Sequence, residues 1–317
     1  MESMSDVLKN LADLSFLKKT EDKSRAIMSD PFINKLKNKY PELDESAMKL
    51  NMNKLYQYVT EMGHCTYCPG LDLCPNDFTG HYTRITVEKI NDITYVLDHK
   101  VTCKKLLARK TEEAVRNRIR SFYVDERALK EGYNIREIEN LDPERKSAVR
   151  QILKYIVSTK KNGLQKNGLY LVGEFGTGKT FLMSYMLHEL AKVGLSGVII
   201  YMPDFIEDLK SMFQEPQKLK EMIDIMKETD LLIFDDIGAE NLNPWARDHI
   251  IGSILNHRMN RKPTFYTSNY ELDALQEHFS FTNKDGDEEY KGQRIMDRIR
   301  PFVDVIVVSG DNKRGRQ

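Results

Sequence analysis

The sequence predicts an α/β protein: a parallel sheet covered by helices, preceded by a small helical zinc-binding domain. Three observations lead there. From about residue 133 onward, short apolar runs alternate with amphipathic stretches, the pattern of a parallel sheet with helices on both faces. The apolar run LYLV leads directly into GEFGTGKT, Gly173 to Thr180, a glycine-rich strand-to-helix turn suited to phosphate. All four cysteines lie between Cys65 and Cys103, which favours one local metal site over a scattered disulfide framework.

With 317 residues, 40% hydrophobic and 30% charged, the chain is long enough for two domains with separate cores. Lys+Arg and Asp+Glu balance at 48 each, so nucleic-acid binding must rest on a local basic groove rather than on whole-chain attraction. The opening stretch MESMSDVLKNLADLSFLKKTEDK lacks an apolar core behind basic residues, and nothing later approaches the roughly 20 apolar residues that span a bilayer. A cytoplasmic protein with no membrane association is expected.

Residues 1–105 are expected to form the metal-binding domain. As far as about Tyr58 the pattern is helical, and SAMKLNMNKLYQYVTEM sets Met48, Met52, Leu55 and Val59 on one core-facing stripe. HCTYCPGLDLCPNDFTGHY is turn-rich, and the segments around RITVEKI and DITYVLD alternate as strands do. Residues 106–132 are dense in charge and sparse in apolar side chains, and read as a solvated helix or linker. The last domain, 133–317, holds five expected strands, LYLV, GVIIYM, LLIFDD, PTFYTSN and VDVIVV, separated by helical stretches. The final DNKRGRQ reads as a polar, frayed tail.

GEFGTGKT matches G-x-x-x-x-G-K-[ST] in full. Gly173, Gly176 and Gly178 let the backbone turn tightly and aim N–H groups at phosphate oxygens, with Thr177 in the same loop. The helix that follows adds the positive end of its dipole. Lys179 is expected to bridge the β- and γ-phosphates of ATP, and Thr180 to offer its hydroxyl to Mg²⁺. About 55 residues further on, LLIF ends in Asp235 and Asp236, one carboxylate for the Mg²⁺ shell and one to orient the attacking water. Asn269 ends the strand PTFYTSN and can meet the γ-phosphate or hold that water. Arg294 and Arg298, four apart on one helix face, suit surface ion pairing or reach toward the nucleotide of a neighbouring copy.

Cys65 and Cys68 form a C-x-x-C knuckle that supplies two of four tetrahedral Zn²⁺ ligands. Cys74, His81, His99 and Cys103 are all within reach for the other two, and spacing does not choose among them. An all-cysteine site is one solution. A closed site makes the metal structural, stabilising a domain with too little core to fold unaided.

In this order, GEFGTGKT, LLIFDDIGAE, PTFYTSN and GQRIMDRIR resemble the motifs of the AAA+ ATPases of the helicase-loader and transposition-helper group, over roughly residues 133–309. With the cysteine-rich N-terminal domain and YMPDFIEDLK, the whole chain is similar to the helicase loaders of Gram-positive bacteria. The resemblance implies an ATP-controlled switch that places the hexameric replicative helicase on single-stranded DNA. The N-terminal domain would grip the helicase and the ATPase domain would handle the strand, with self-assembly. It further implies that Lys179 and Thr180 bind phosphate and metal, that Asp235 and Asp236 serve magnesium and water, and that Asn269 senses the γ-phosphate. By the same resemblance Arg298 is the finger acting on a neighbouring copy, Arg294 a nearby nucleotide contact, and Cys65, Cys68, His81 and Cys103 the zinc ligands, with Cys74 a spare thiol.

Two departures qualify what the resemblance implies. Most AAA+ proteins carry Glu where Asp236 stands, so the carboxylate is a methylene shorter and slow hydrolysis is expected. No helical lid is expected after Arg300. Slow, assembly-dependent turnover suits a switch better than a motor. A transposition helper acting on duplex DNA is the alternative, although such helpers usually lack an N-terminal zinc module. Phe205, Lys210, Phe213 and Lys218 are candidate contacts to a single strand, while Phe205 and Phe213, eight apart, also read as core.

Overall fold

A computed structural model describes residues 23–91, 93–122, 143–212, 214–282 and 286–312. The chain forms two compact units that divide between Glu112 and Glu113.

In the N-terminal unit, helices pack on one face of a hairpin. Helix α1 (Pro31–Lys39) opens on Asp30, whose carboxylate accepts the Phe32 N–H at 2.8 Å, with proline in the first turn. Both devices deal with N–H groups that have no partner inside the helix. Asp44 caps α2 (Glu45–Leu50) in the same way, accepting from Ala47 at 2.7 Å. The helical pattern read as far as about Tyr58 is interrupted at Asn51, and α3 (Met52–Thr66) starts afresh there. Strands β1 (His81–Ile90) and β2 (Ile93–Thr102) pair antiparallel, His81 opposite Thr102 and Ile90 opposite Ile93. Alternation turns Ile85, Val87 and Val96 inward onto Ile33, Leu36, Met48 and Leu55. Of the expected stripe, Met48 and Leu55 are buried and Met52 and Val59 half-buried. Glu61, 3% exposed, ties α3 to the hairpin by accepting the Thr83 N–H at 2.6 Å and the Lys100 ammonium.

Helix α4 (Lys104–Arg118) runs into β3 (Ile119–Phe122). Of the stretch expected to be a solvated helix or linker, 106–132, the part up to Arg118 is helical, while Ile119–Phe122 forms a strand of the sheet that was not expected; residues 123–132 lie outside the described residues. The strand escapes a reading of the pattern because it is four residues long and sets the exposed, charged Arg120 and the polar Ser121 between Ile119 and Phe122.

In the second unit, α5 (Lys146–Asn162) precedes β4 (Gly168–Val172), and α6 (Lys179–Ala191) precedes β5 (Gly197–Tyr201). Helices α7 (Met202–Met212) and α8 (Pro216–Glu228) lead to β6 (Leu231–Asp235). A π-helical turn, Ala246–Ile251, opens into α9 (Gly252–Arg258), then β7 (Thr264–Ser268) and α10 (Leu272–Ser280). Two short strands, β8 (Phe281–Thr282) and β9 (Gly286–Asp287), form a ladder of their own before α11 (Glu289–Met296) and β10 (Val303–Val307). The main sheet is six-stranded in the order β10-β4-β7-β6-β5-β3, parallel throughout.

Helices cover both faces of this sheet. Ile152 and Ile156 of α5 and Leu182 and Met186 of α6 pack on Leu171, Ile199, Ile233 and Phe265. Tyr170, Ile200, Phe234 and Tyr266 point the other way, into a core completed by Phe205, Met226, Ile254 and Leu275. Strands covered on both sides need apolar residues at every position, which is why their runs are continuous. Arg258, 1% exposed, donates to the carbonyls of Met226, Thr229 and Pro263 at 2.9, 2.7 and 2.5 Å. It thereby satisfies acceptors at the end of α8 that the helix itself leaves open.

Candidate nucleotide and metal sites

The carboxyl ends of β4, β7 and β6, neighbours in the sheet, lie where open α/β folds bind ligands. The phosphate loop leaves β4 with Gly176 and Gly178 at φ 75° and 95°, conformations that glycine adopts without a steric penalty. Helix α6 begins at Lys179, so the N–H groups of its first turn, which have no partner inside the helix, belong to the mouth of the loop.

Lys179 is 7% exposed. Its ammonium donates to the carbonyls of Gly173 and Glu174 at 2.7 and 2.9 Å and to Asn269 Oδ1 at 2.8 Å. The Asn269 amide nitrogen donates in turn to Asp236 Oδ1 at 3.1 Å. Thr180 donates its hydroxyl to the Asp235 carboxylate, 2.9 Å from Oδ1 and 3.1 Å from Oδ2. Lys179, Thr180, Asp235, Asp236 and Asn269 are thus brought together from three strand ends. Thr267, which the sequence reading passed over, completes the cluster: its hydroxyl donates to Asp235 Oδ1 at 2.7 Å and accepts the Asp236 N–H at 2.8 Å. The signal available was the period of two on β7, which puts Thr267 on the same side as Asn269.

Burial pushes the Asp235 carboxyl up, and Asp236 adds to the effect, against the hydrogen bonds from Thr267 and Thr180 and the charge of Lys179. A buried carboxylate of this kind, beside a hydroxyl, suits a hard divalent cation. Asp236 adopts the left-handed conformation, φ 56°, uncommon for a residue with a side chain but tolerated by Asp. Below it the two loops are joined: Ile237 donates to Thr267 O at 2.9 Å and Ser268 donates to Ile237 O at 2.6 Å.

Arg294 and Arg298 do not line the phosphate loop of their own chain. They border a polar groove of about 440 Å³ with Asp248, His249, Asn256 and Lys291, and Arg298 donates to the Arg294 carbonyl. Of the candidate DNA contacts, Phe205 is fully buried and belongs to the core, because it lies on the face of α7 turned to the sheet. Lys218 is exposed and pairs with Glu215 at 3.2 Å. Phe213 and the side chain of Lys210 lie outside the described residues.

In the N-terminal unit, Cys65, Cys68, Cys74, Cys103 and His81 line one pocket of about 310 Å³. Gly80 N–H donates to Cys74 Sγ and Leu106 N–H to Cys103 Sγ, both at 3.4 Å, and Asn76 Nδ2 to Cys65 Sγ at 3.7 Å. Burial pushes the Cys65 thiol up, and the neighbouring Cys68, Cys74 and Cys103 add to this. The Gly70 N–H and then Lys105 hold Cys68 below the usual thiol range. Thiols met by N–H donors are the donor chemistry of a zinc site. Even so, among the described residues no group of three or more His, Cys, Asp or Glu side chains is arranged to hold a metal ion. Of the expected set Cys65, Cys68, His81 and Cys103, all four side chains line this pocket; His81 Nδ1 meets Thr79 O at 3.1 Å, which leaves Nε2 for another partner, and Cys74, expected to be a buried or spare thiol, lies with the other thiols. His99 is exposed on β2 opposite Arg84 and away from the pocket. No helix of the described residues is long and apolar enough to cross a membrane.

Against known proteins, residues 1–95 match the family model of the primosomal protein DnaI N-terminus, and residues 82–317 match that of IstB-like ATP binding proteins. The chain is 32% identical over 302 residues to the replicative helicase loader DnaI of Bacillus subtilis, covering 94% of each chain. A crystal structure of DnaI is similar with a TM-score of 0.52 and 32% identity, covering 63% of this chain and 99% of that one.

Proposed function

Because the chain belongs to the family of DnaI, the replicative helicase loader, with an IstB-like ATP-binding region, we propose that it uses ATP to control the placement of a hexameric replicative helicase on single-stranded DNA. The observation that carries the nucleotide part is the chain of hydrogen bonds Lys179–Asn269–Asp236, beside the pair Thr180–Asp235. A cation, a hydroxyl and two carboxylates at the mouth of a glycine-rich loop are what binding and hydrolysing a Mg²⁺-bound triphosphate require.

Lys179 exchanges neutral carbonyl acceptors for charged phosphate oxygens, a stronger hydrogen bond. Thr180 and Asp235 would hold Mg²⁺, which would supply positive charge to the phosphates. Asn269, released from Lys179, faces the γ-phosphate, and Asp236 orients water for in-line attack. Hydrolysis is slow in a lone copy and is completed by Arg298 from a neighbour, whose groove receives the first copy's nucleotide, with Arg294 alongside. The protein works in the cytoplasm, gripping the helicase through its N-terminal unit and single-stranded DNA through the other. Zn²⁺ belongs to the cysteine pocket, with Cys65, Cys68 and Cys103 joined by His81 or Cys74; what supports this is that all five side chains line the same pocket.

The test is helicase loading on circular single-stranded DNA with the full-length protein, its replicative helicase and ATP. Lys179→Ala is expected to bind helicase and fail to load it; loading at the wild-type level would remove the ATP switch. The IstB-like match keeps one rival in view, a transposition helper: no helicase capture, together with ATP-dependent coating of duplex DNA, would establish that instead.

A further inference from the structure

The three glycines of the phosphate loop leave gaps that other parts of the chain occupy. A methyl group on Gly173 would stand 2.2 Å from Val308 O, and one on Gly176 would stand 1.9 Å from Asn312 Oδ1. On Gly178 it would meet the guanidinium of Arg145, Nη1, at 3.6 Å. Arg145 comes from the short 3-10 turn Pro143–Arg145 ahead of α5 and is 5% exposed. Its Nη2 donates to Asp311 O at 2.6 Å. The segment that continues β10 is carried beside the loop from the start, since Val308 N–H donates to Val172 O at 2.7 Å.

We propose that Arg145 is a second phosphate-binding cation of the nucleotide site, and that the segment Val308–Asn312 which it holds is a strap displaced when a nucleoside di- or triphosphate enters. The inference rests on the nucleotide reading above and extends it to residues outside the motif. The charge count favours it. A bound polyphosphate would lie near Asp235 and Asp236, and beside the Mg²⁺ that Thr180 and Asp235 would hold, Lys179 is the one cationic side chain that the motif supplies. Arg294 and Arg298 border another groove. A guanidinium offers five N–H donors in a planar fork matched to phosphate. The acceptor that Arg145 Nη2 holds, a neutral peptide carbonyl, makes a weaker bond than a charged phosphate oxygen. Turning to phosphate gives up the hydrogen bond to Asp311 O, one of the contacts that keep this segment beside Gly176. The position of the strap then follows the occupancy of the loop.

The experiment is competition of ATP, ADP and AMP against a fluorescent mant-ADP probe, on the full-length wild type, Arg145→Ala, Arg145→Lys, Asn312→Ala and Lys179→Ala. Arg145→Ala should weaken ATP and ADP by about ten- to hundred-fold and AMP far less, and Arg145→Lys should recover part of the loss. Asn312→Ala, which removes a competing contact, should tighten ATP. A uniform loss across the three nucleotides in Arg145→Ala would mean damaged packing and overturn the proposal; so would unchanged ATP and ADP affinities. If Lys179→Ala also binds ATP normally, the nucleotide site itself has been misread, an outcome separate from failure at Arg145 alone.

Discussion

Lys179 and Asn269, 90 residues apart in the chain, are joined by a 2.8 Å hydrogen bond from ammonium to amide oxygen. The other end of the same amide holds Asp236 at 3.1 Å. One side chain therefore links the cation proposed to bind phosphate to the carboxylate proposed to orient water.

Asn269→Ala is expected to separate binding from turnover. Lys179 keeps its two loop carbonyls, so ATP affinity should change by less than about ten-fold, while hydrolysis falls about a hundred-fold for want of the orienting amide. Equilibrium binding and single-turnover kinetics on the same preparation check both halves.

Asp235 links stability to pH. Burial raises its carboxyl above the ordinary aspartate value, so the empty fold favours the neutral form. The stability this contributes is complete below the unfolded-state value and is lost as pH rises through the raised one. Asp235→Asn should therefore melt higher than the wild type at neutral pH. The gap should close toward about pH 4. Saturating Mg²⁺-ATP should reverse the order, because the wild type alone gains the full stabilisation from ligand. Melting temperatures across the pH range, with and without nucleotide, test the sign.

Two arginines should respond very differently to removal. Burial brings Arg258 down to about 10, still charged at neutral pH, and its loss strands the carbonyls of Met226, Thr229 and Pro263. Arg258→Met should cost about 3–5 kcal/mol. Arg300, half exposed, pairs with the exposed Asp273 at 2.7 Å, and Arg300→Met should cost less than about 1 kcal/mol. Urea unfolding of the two variants measures the contrast.

The zinc assignment predicts about one equivalent of metal per chain in protein purified without chelator. Strong chelation should melt the N-terminal unit and leave ATP binding in the other unit intact, as followed by circular dichroism and nucleotide titration. Metal analysis of Cys74→Ser beside His81→Ala identifies the fourth ligand, since only the true ligand's loss should lower zinc content.

Much of the second unit could be read in the sequence because its chemistry is local there. Eight consecutive residues make the phosphate loop, and strands buried on both faces announce themselves as unbroken apolar runs. What escaped depends on tertiary pairing. Thr267 acquires its role from Asp235 on the next strand, and Arg145 from a turn folded back on Gly178; neither neighbourhood leaves a local pattern. Strand β3 was too short and too charged to stand out. Phe205 reads as either a stacking residue or a core residue until its face of the helix is known. The cysteines cluster in sequence, but spacing alone does not say which of them and His81 converge.

Strands β3 and β10 bound the six-stranded sheet, and among the described residues each pairs along one side only. Such borders are templates onto which a strand from another molecule can be added. Both are guarded: β3 is only four residues long and carries Arg120, and β10 sets Asp304 between Val303 and Val305. An incoming strand would have to bring a matching charge or bury one unmet, which discourages growth of the sheet from molecule to molecule. Copies brought close together can then meet through side-chain surfaces, reversibly, instead of fusing into a continuous ribbon.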